Sequence, residues 1–172
     1  MRLIVCDLGC HGHRDDDSVG VLIERFGPDR LYGFDPYSHV VPGERVVNGT
    51  RVIIEQSAAW TRGGTIEFVE PRSMPTHSTV MNPYEYGEGM RRVACFDLAD
   101  WIESHGLNAD LILKLDVEGA EYDLLEHLYA READRYVTLL LVEWHPLPPE
   151  AVSWATRVSL MKRLRCPVEG WH

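Results

Sequence analysis

Ionisable residues alternate with apolar ones at the end of Leu111-Ile112-Leu113-Lys114-Leu115-Asp116-Val117-Glu118-Gly119-Ala120-Glu121. The apolar part has the length and continuity of a strand covered on both faces, and a period of two sets Lys114, Asp116 and Glu118 on one side of it. Charges at the edge of a core are costly unless they are paired or used. One use is structural, an ion pair of Lys114 with a strand-end carboxylate and a helix cap by Glu118. The other is proton transfer.

Two more places can hold a ligand. Asp7-Leu8-Gly9-Cys10-His11-Gly12 ends a short apolar run with glycines, which admit positive φ and close approach of backbone to a bound molecule. Gly33-Phe34-Asp35-Pro36 ends the next apolar run in an acid suited to gripping a ribose diol. The pair indicates a nucleoside cofactor. The full G-x-G-x-x-G fingerprint is absent, and Asp15, Asp16 and Asp17 would repel a pyrophosphate. S-adenosylmethionine, with a sulfonium, an ammonium, a ribose and no phosphate, fits better; the competing explanation of the glycines is plain turn geometry.

These groups need elements to hold them. Leu3 to Leu8 reads as a buried parallel strand, and Val19, Leu22, Ile23 and Phe26 as the apolar stripe of a helix capped by Asp15 to Ser18 and stopped by Gly27-Pro28. Leu31 to Asp35, Arg51 to Ala59 and Thr65 to Val69 read as strands, with Asn48-Gly49 as a turn. Arg92 to Phe96 leads into a helix capped by Asp97 and ended by Gly106. A helix carrying Glu118, Glu121 and Asp123 in its first turn follows Leu111 to Asp116, with Leu124, Leu125, Leu128 and Tyr129 inward. Val137 to Val142 is the last clear strand, and Glu150 to Arg165 the last helix, with Trp154, Val158 and Met161 on one face. Alternating strands and helices predict an α/β fold with an open, mainly parallel, doubly wound sheet. Ligands then belong beyond the carboxyl ends of the strands, where strand order reverses.

The chain of 172 residues is sized for one domain, 1–172. Seventeen basic against twenty-seven acidic residues give a net charge of −10, which argues against nucleic acid as a partner. No apolar run approaches the roughly 20 residues that span a bilayer, and the start lacks a signal-peptide pattern, so no membrane partner and a cytoplasmic location are expected. The four cysteines lie at no CxxC spacing and read as reduced thiols. Ser73 to Gly89 forms a long loop, whose Tyr84 and Tyr86, with Trp60, either face an acceptor or pin the loop to the domain.

Leu113-Lys114-Leu115-Asp116-Val117-Glu118-Gly119-Ala120-Glu121 resembles the Lys-Ile-Asp-Val-Glu-Gly-Ala-Glu hallmark of the FkbM-type S-adenosylmethionine-dependent methyltransferases, a class I Rossmann-like family. Supporting pieces follow in the family's order: Asp7 to Gly12, Phe34-Asp35-Pro36, Ser57-Ala58-Ala59-Trp60, Phe96 to Trp101 and Val142-Glu143-Trp144-His145. The resemblance implies that Asp7, Gly9, His11 and Gly12, with Cys10 among them, line the methionine part of the cofactor. Ser18 would lie near its carboxylate, Asp35 and the adjoining Pro36 at the ribose, and Gln56, Ser57 and Ala58 around the adenine. Asp116 would sit beside the sulfonium and the acceptor. The chain departs from the family in carrying His11 for the usual asparagine and the extension His13 to Asp17, where Arg14 is a substitute partner for the methionine carboxylate. The crossover between Pro36 and Arg51 is short, and at most Cys166 to Trp171 remains for the antiparallel pair that closes the family's sheet. The expected fold is thus class I methyltransferase-like, lacking the full C-terminal hairpin.

The implied reaction is methyl transfer to a hydroxyl of a small molecule, sugar or glycan. Asp116 is the first choice of base, His145 the second because imidazole titrates near neutral pH, and Glu118 the third. No resident metal is expected: Cys10, His11 and His13 match no zinc spacing, and a shared ion on His11, Asp116 and Glu143 is a minor alternative. The competing function is a non-catalytic or regulatory Rossmann-like module that retains the nucleoside pocket. If the closing hairpin is missing, Val137 to Val142 becomes an apolar sheet edge, and a homodimer through it is expected.

Overall fold

The computed structural model describes residues 1–10, 18–69, 90–145 and 154–171. The elements are β1 (Arg2–Leu8), α1 (Ser18–Phe26), β2 (Arg30–Phe34), β3 (Gly43–Val47), β4 (Thr50–Glu55), β5 (Ala58–Trp60), β6 (Gly64–Val69), β7 (Met90–Asp97), α2 (Leu98–Gly106), β8 (Ala109–Leu115), α3 (Glu121–Ala130), a 3-10 turn at Ala133–Tyr136, β9 (Leu139–Val142), α4 (Trp154–Arg163) and β10 (Val168–Gly170).

Seven strands form one sheet in the order β10-β9-β8-β1-β2-β4-β3. All neighbours are parallel except β3, which pairs antiparallel with β4. Numbered among themselves along the chain, the parallel strands run 3-2-1-4-5-6, so order reverses between β1 and β8. Leu111, Leu113 and Leu115 of β8 join Ile4, Cys6 and Leu8 of β1 in the core under α2, α3 and α4, while Val5 and Ile112 face the core of α1. Helices therefore cover both faces, as the alternation of apolar runs and amphipathic stretches predicts.

The predicted third strand is two. Backbone pairing with β2 ends at Glu55, and the chain turns at Gln56-Ser57 to put β5 into a second, three-stranded sheet of order β5-β7-β6. Between Pro36 and Arg51, where a short crossover was expected, the chain builds a hairpin instead. Asn48 and Gly49 take φ of 50° and 87°, the left-handed pair that a tight two-residue hairpin turn requires, and β3 folds back along β4.

The C-terminal part corrects two expectations. Buried Leu160 and Leu164 turn inward from α4 and the residues after it, whereas Val158 and Met161 are only part-buried. The strand at Leu139–Val142 is not an edge, because β10 pairs with it in parallel through Val168↔Leu140 to Gly170↔Val142. The ground for a dimer through that strand is therefore absent. Arg25 of α1 reaches Glu169 of β10 at 2.8 Å, tying the added strand to the first helix. Asp97 caps α2 by accepting from the amides of Ala99 at 2.9 Å and Asp100 at 3.2 Å. It also meets His127 Nε2 at 2.9 Å, which joins α2 to α3. Cys6, Cys10, Cys95 and Cys166 are all buried and unbridged. Among the described residues, no helix is long and apolar enough to cross a membrane.

Candidate functional site

Strands β1 and β8 meet in register Asp7↔Lys114, so the two side chains are neighbours on one face of the sheet. Both are fully buried. Lys114 Nζ lies 3.1 Å from Asp7 Oδ1 and donates to Asp116 Oδ2 and to the Gly9 carbonyl, each at 3.0 Å. Ser18, the first residue of α1, donates to Asp7 Oδ2 at 2.6 Å. The Trp171 ring lies over the same ammonium, 5.7 Å from it. Burial opposes the charge on Lys114, but the carboxylates of Asp7 and Asp116 outweigh it and hold the group above the ordinary lysine range.

Past β8 the chain does not enter the helix at once. Glu118 and Gly119 take φ of 53° and 103°, and α3 begins only at Glu121. Glu118 is thus a turn residue in the left-handed region, where a non-glycine residue is strained; the N-cap position of α3 falls to Ala120, which has no side-chain cap bond, and Glu121 braces the turn before the helix instead. Fully buried, Glu121 accepts from the amide of Val117 at 3.0 Å through Oε1 and of Gly119 at 2.9 Å through Oε2.

Glu121 Oε1 also meets His145 Nδ1 at 2.8 Å. That leaves His145 Nε2 facing Glu118 Oε2 at 3.4 Å and Asp116 Oδ1 at 3.8 Å. The turn after β8 and the end of β9 so bring all three residues named as bases into one cluster. Burial would lower the His145 pKa; the hydrogen bond to Glu121 and the charges of Glu121, Glu118 and Asp116 overcome this and raise it from 6.5 to about 9. Near neutral pH His145 is an imidazolium, and the expectation that it titrates near neutrality is corrected. Arg157 of α4 donates to the His145 carbonyl at 3.1 Å and to the Tyr122 hydroxyl at 2.6 Å, fastening the end of β9 beneath α4.

Beside this cluster lies a narrow cleft whose free interior, about 40 Å³, is well below the roughly 300–1,000 Å³ of small-molecule sites, so a bound molecule must widen it. Gly9, Asp35, Pro36, Ser57, Ala58, Asp116 and Glu118 line it, along with apolar Phe34, Phe68 and Val117. Asp35 is buried, and its Oδ1 accepts from the Tyr37 amide at 2.8 Å, which sets its rotamer at the rim. The Ser57 hydroxyl oxygen is buried and has no hydrogen-bond partner among the described residues.

The structure does not bring every expected residue to this cleft. Asp7 and Ser18 are consumed by the Lys114 network, and Cys10 is buried, its thiol pushed above its ordinary range by burial and then by Asp7 and Asp35. Gln56 turns away and donates to the Tyr37 carbonyl at 2.8 Å. Trp60 lies with Arg62, Thr65 and Arg92 around a separate polar hollow on the second sheet. Glu143 is not among the ligand-bearing residues that converge with Asp116. His11, Gly12, His13, Arg14, Asp15 to Asp17, Tyr84 and Tyr86 lie outside the described residues. Sequence reasoning missed Glu121 as a site residue; its placement directly after Gly119-Ala120, where a chain leaving a strand exposes free amides, was the available signal.

No protein-family model matches the sequence, and neither curated proteins nor solved structures give a match. The reading of the site rests on its own chemistry.

Proposed function

We propose that the chain is an S-adenosylmethionine-dependent O-methyltransferase of class I fold, acting on a hydroxyl of a small molecule or a glycan. One observation carries this reading: the cleft at the reversal of strand order joins Asp35, an apolar wall and the Ser57 hydroxyl, which has no partner among the described residues, to a cluster of carboxylates. A nucleoside needs a diol acceptor, apolar faces and a polar contact for its base, and a sulfonium favours acidic surroundings. The residues present fit that group.

Asp35 would hold the ribose hydroxyls, Phe34, Pro36 and Ala58 would flank the adenine, and Ser57 would gain the hydrogen bond it lacks. S-adenosylmethionine, when bound, supplies an electrophilic methyl group. The protein's part is to hold the acceptor oxygen in line and take its proton. Asp116 would take the proton: it lines the cleft, and Lys114 holds its Oδ2. His145, charged near neutral pH, balances the negative charge of Glu118 and Glu121 and orients the turn that carries Asp116.

Calorimetry with S-adenosylhomocysteine tests the reading. Saturable binding at one site per chain is expected; no heat and no thermal shift at millimolar ligand overturns it.

A further inference from the structure

Asp116, Glu118 and His145 each offer a ligand atom, and these atoms all lie within 4.8 Å of one another. The imidazole Nε2 is 3.4 Å from Glu118 Oε2 and 3.8 Å from Asp116 Oδ1. Metal–ligand bonds of about 2.0–2.2 Å place adjacent ligands about 3.0–3.5 Å apart in octahedral or tetrahedral shells. The imidazole–Glu118 distance is within that range and the imidazole–Asp116 distance slightly above it.

The group differs in three ways from a patch of surface acids. One donor is an aromatic nitrogen, and it is aimed from behind: buried Glu121 holds Nδ1 at 2.8 Å, so Nε2 is the atom presented. A carboxylate on the second ring nitrogen is the usual outer partner of a metal-bound histidine. Asp116 is likewise fixed from behind, with Lys114 on Oδ2 and Oδ1 left forward. Finally, Asp116 and Glu118 line the cleft, so a cation held here keeps coordination positions open to whatever enters.

We propose that Asp116 Oδ1, Glu118 Oε2 and His145 Nε2 form a binding site for one divalent cation of the Mn²⁺ type, with its remaining positions open to the cleft. Carboxylates suit Mg²⁺, Ca²⁺ and Mn²⁺ and imidazole suits first-row transition ions; Mn²⁺ accepts both. Coordination of His145 Nε2 releases the proton that nitrogen carries to solvent, and the cation takes over the positive charge among these carboxylates. Its binding does not depend on the methyl-transfer reading, and no cofactor is needed to detect it.

The test is a titration of the full chain, stripped of metal by chelator, with Mn²⁺ alone, followed by the electron paramagnetic resonance of free Mn²⁺. One saturable site per chain is expected. Glu118→Gln and His145→Gln should each weaken it at least tenfold, and Glu121→Gln, which removes the charge behind the ring, by about 10- to 100-fold. Ca²⁺ should compete poorly against the wild-type chain. Absence of saturable binding at millimolar Mn²⁺ overturns the site, as does binding unchanged in both Glu118→Gln and His145→Gln. Glu118 sits in a part-exposed turn, so its variant remains informative if replacing His145 disturbs the fold.

Discussion

A Cβ atom on Gly9 would lie 1.8 Å from the carbonyl oxygen of Asp116. The ends of β1 and β8 approach each other so closely that only a residue without a side chain fits, and Gly9 also has φ of 79°. The obstacle is backbone, so it cannot rotate aside.

Gly9→Ala should therefore cost at least about 3 kcal/mol in urea unfolding, combining left-handed strain with displacement of the Asp116 peptide. Gly27→Ala is the control: φ there is 55°, but nothing lies within 4 Å of the added methyl. Its cost should be about 1 kcal/mol. Equal losses in the two variants would contradict the role given to the close approach.

Lys114→Met should destabilise by about 3–5 kcal/mol, because it strands the carboxylate of buried Asp7. The double variant Asp7→Asn/Lys114→Met removes that charge and should recover a large part of the loss. A strictly additive cycle in denaturant unfolding would mean that the two residues do not act as a pair.

His145 gives a pH dependence of known sign. Its folded pKa, about 9, is above the unfolded 6.5, so its stabilisation is fully present below about pH 6.5 and is lost as pH rises through 9. The stability difference between wild type and His145→Gln, both metal-free, should be greatest at pH 6 and shrink by on the order of 2 kcal/mol by pH 9.5. NMR titration of the imidazole supplies the direct check, and Glu121→Gln should bring the midpoint down.

The two roles in the cleft separate by ligand binding. Asp35→Ala should weaken S-adenosylhomocysteine about 10- to 100-fold, from the loss of hydrogen bonds to a carboxylate. Asp116→Asn should keep most of the affinity and lose turnover once an acceptor is found. Equal loss of binding in both would move Asp116 from proton transfer to cofactor holding.

Period and composition were enough to place five of the six parallel strands, the first three helices and most residues along the cleft. The apolar runs Leu3 to Leu8 and Leu111 to Leu115 could hardly be anything but central strands, and charges ending such a run must be accounted for. Long-range pairing was not legible. Asp7 looks like a ligand contact until the register sets it against Lys114, more than a hundred residues away. Glu118 and Glu121 are alike in the sequence; left-handed backbone at Glu118 and Gly119 sends one to the cleft and the other into the core. Strand β10 escaped notice because three residues carry no period.

The change of sheet between Glu55 and Ala58 makes the cleft a joint between two hydrogen-bonded sheets. One wall belongs to the large sheet and the other to the small one, and the guanidinium of Arg91 straps them together at the Pro36 carbonyl. The angle between the sheets sets the width of the gap. A molecule seated there should act as a wedge that stills both sides together, slowing amide exchange in β5 and β7 although neither strand carries the reacting groups.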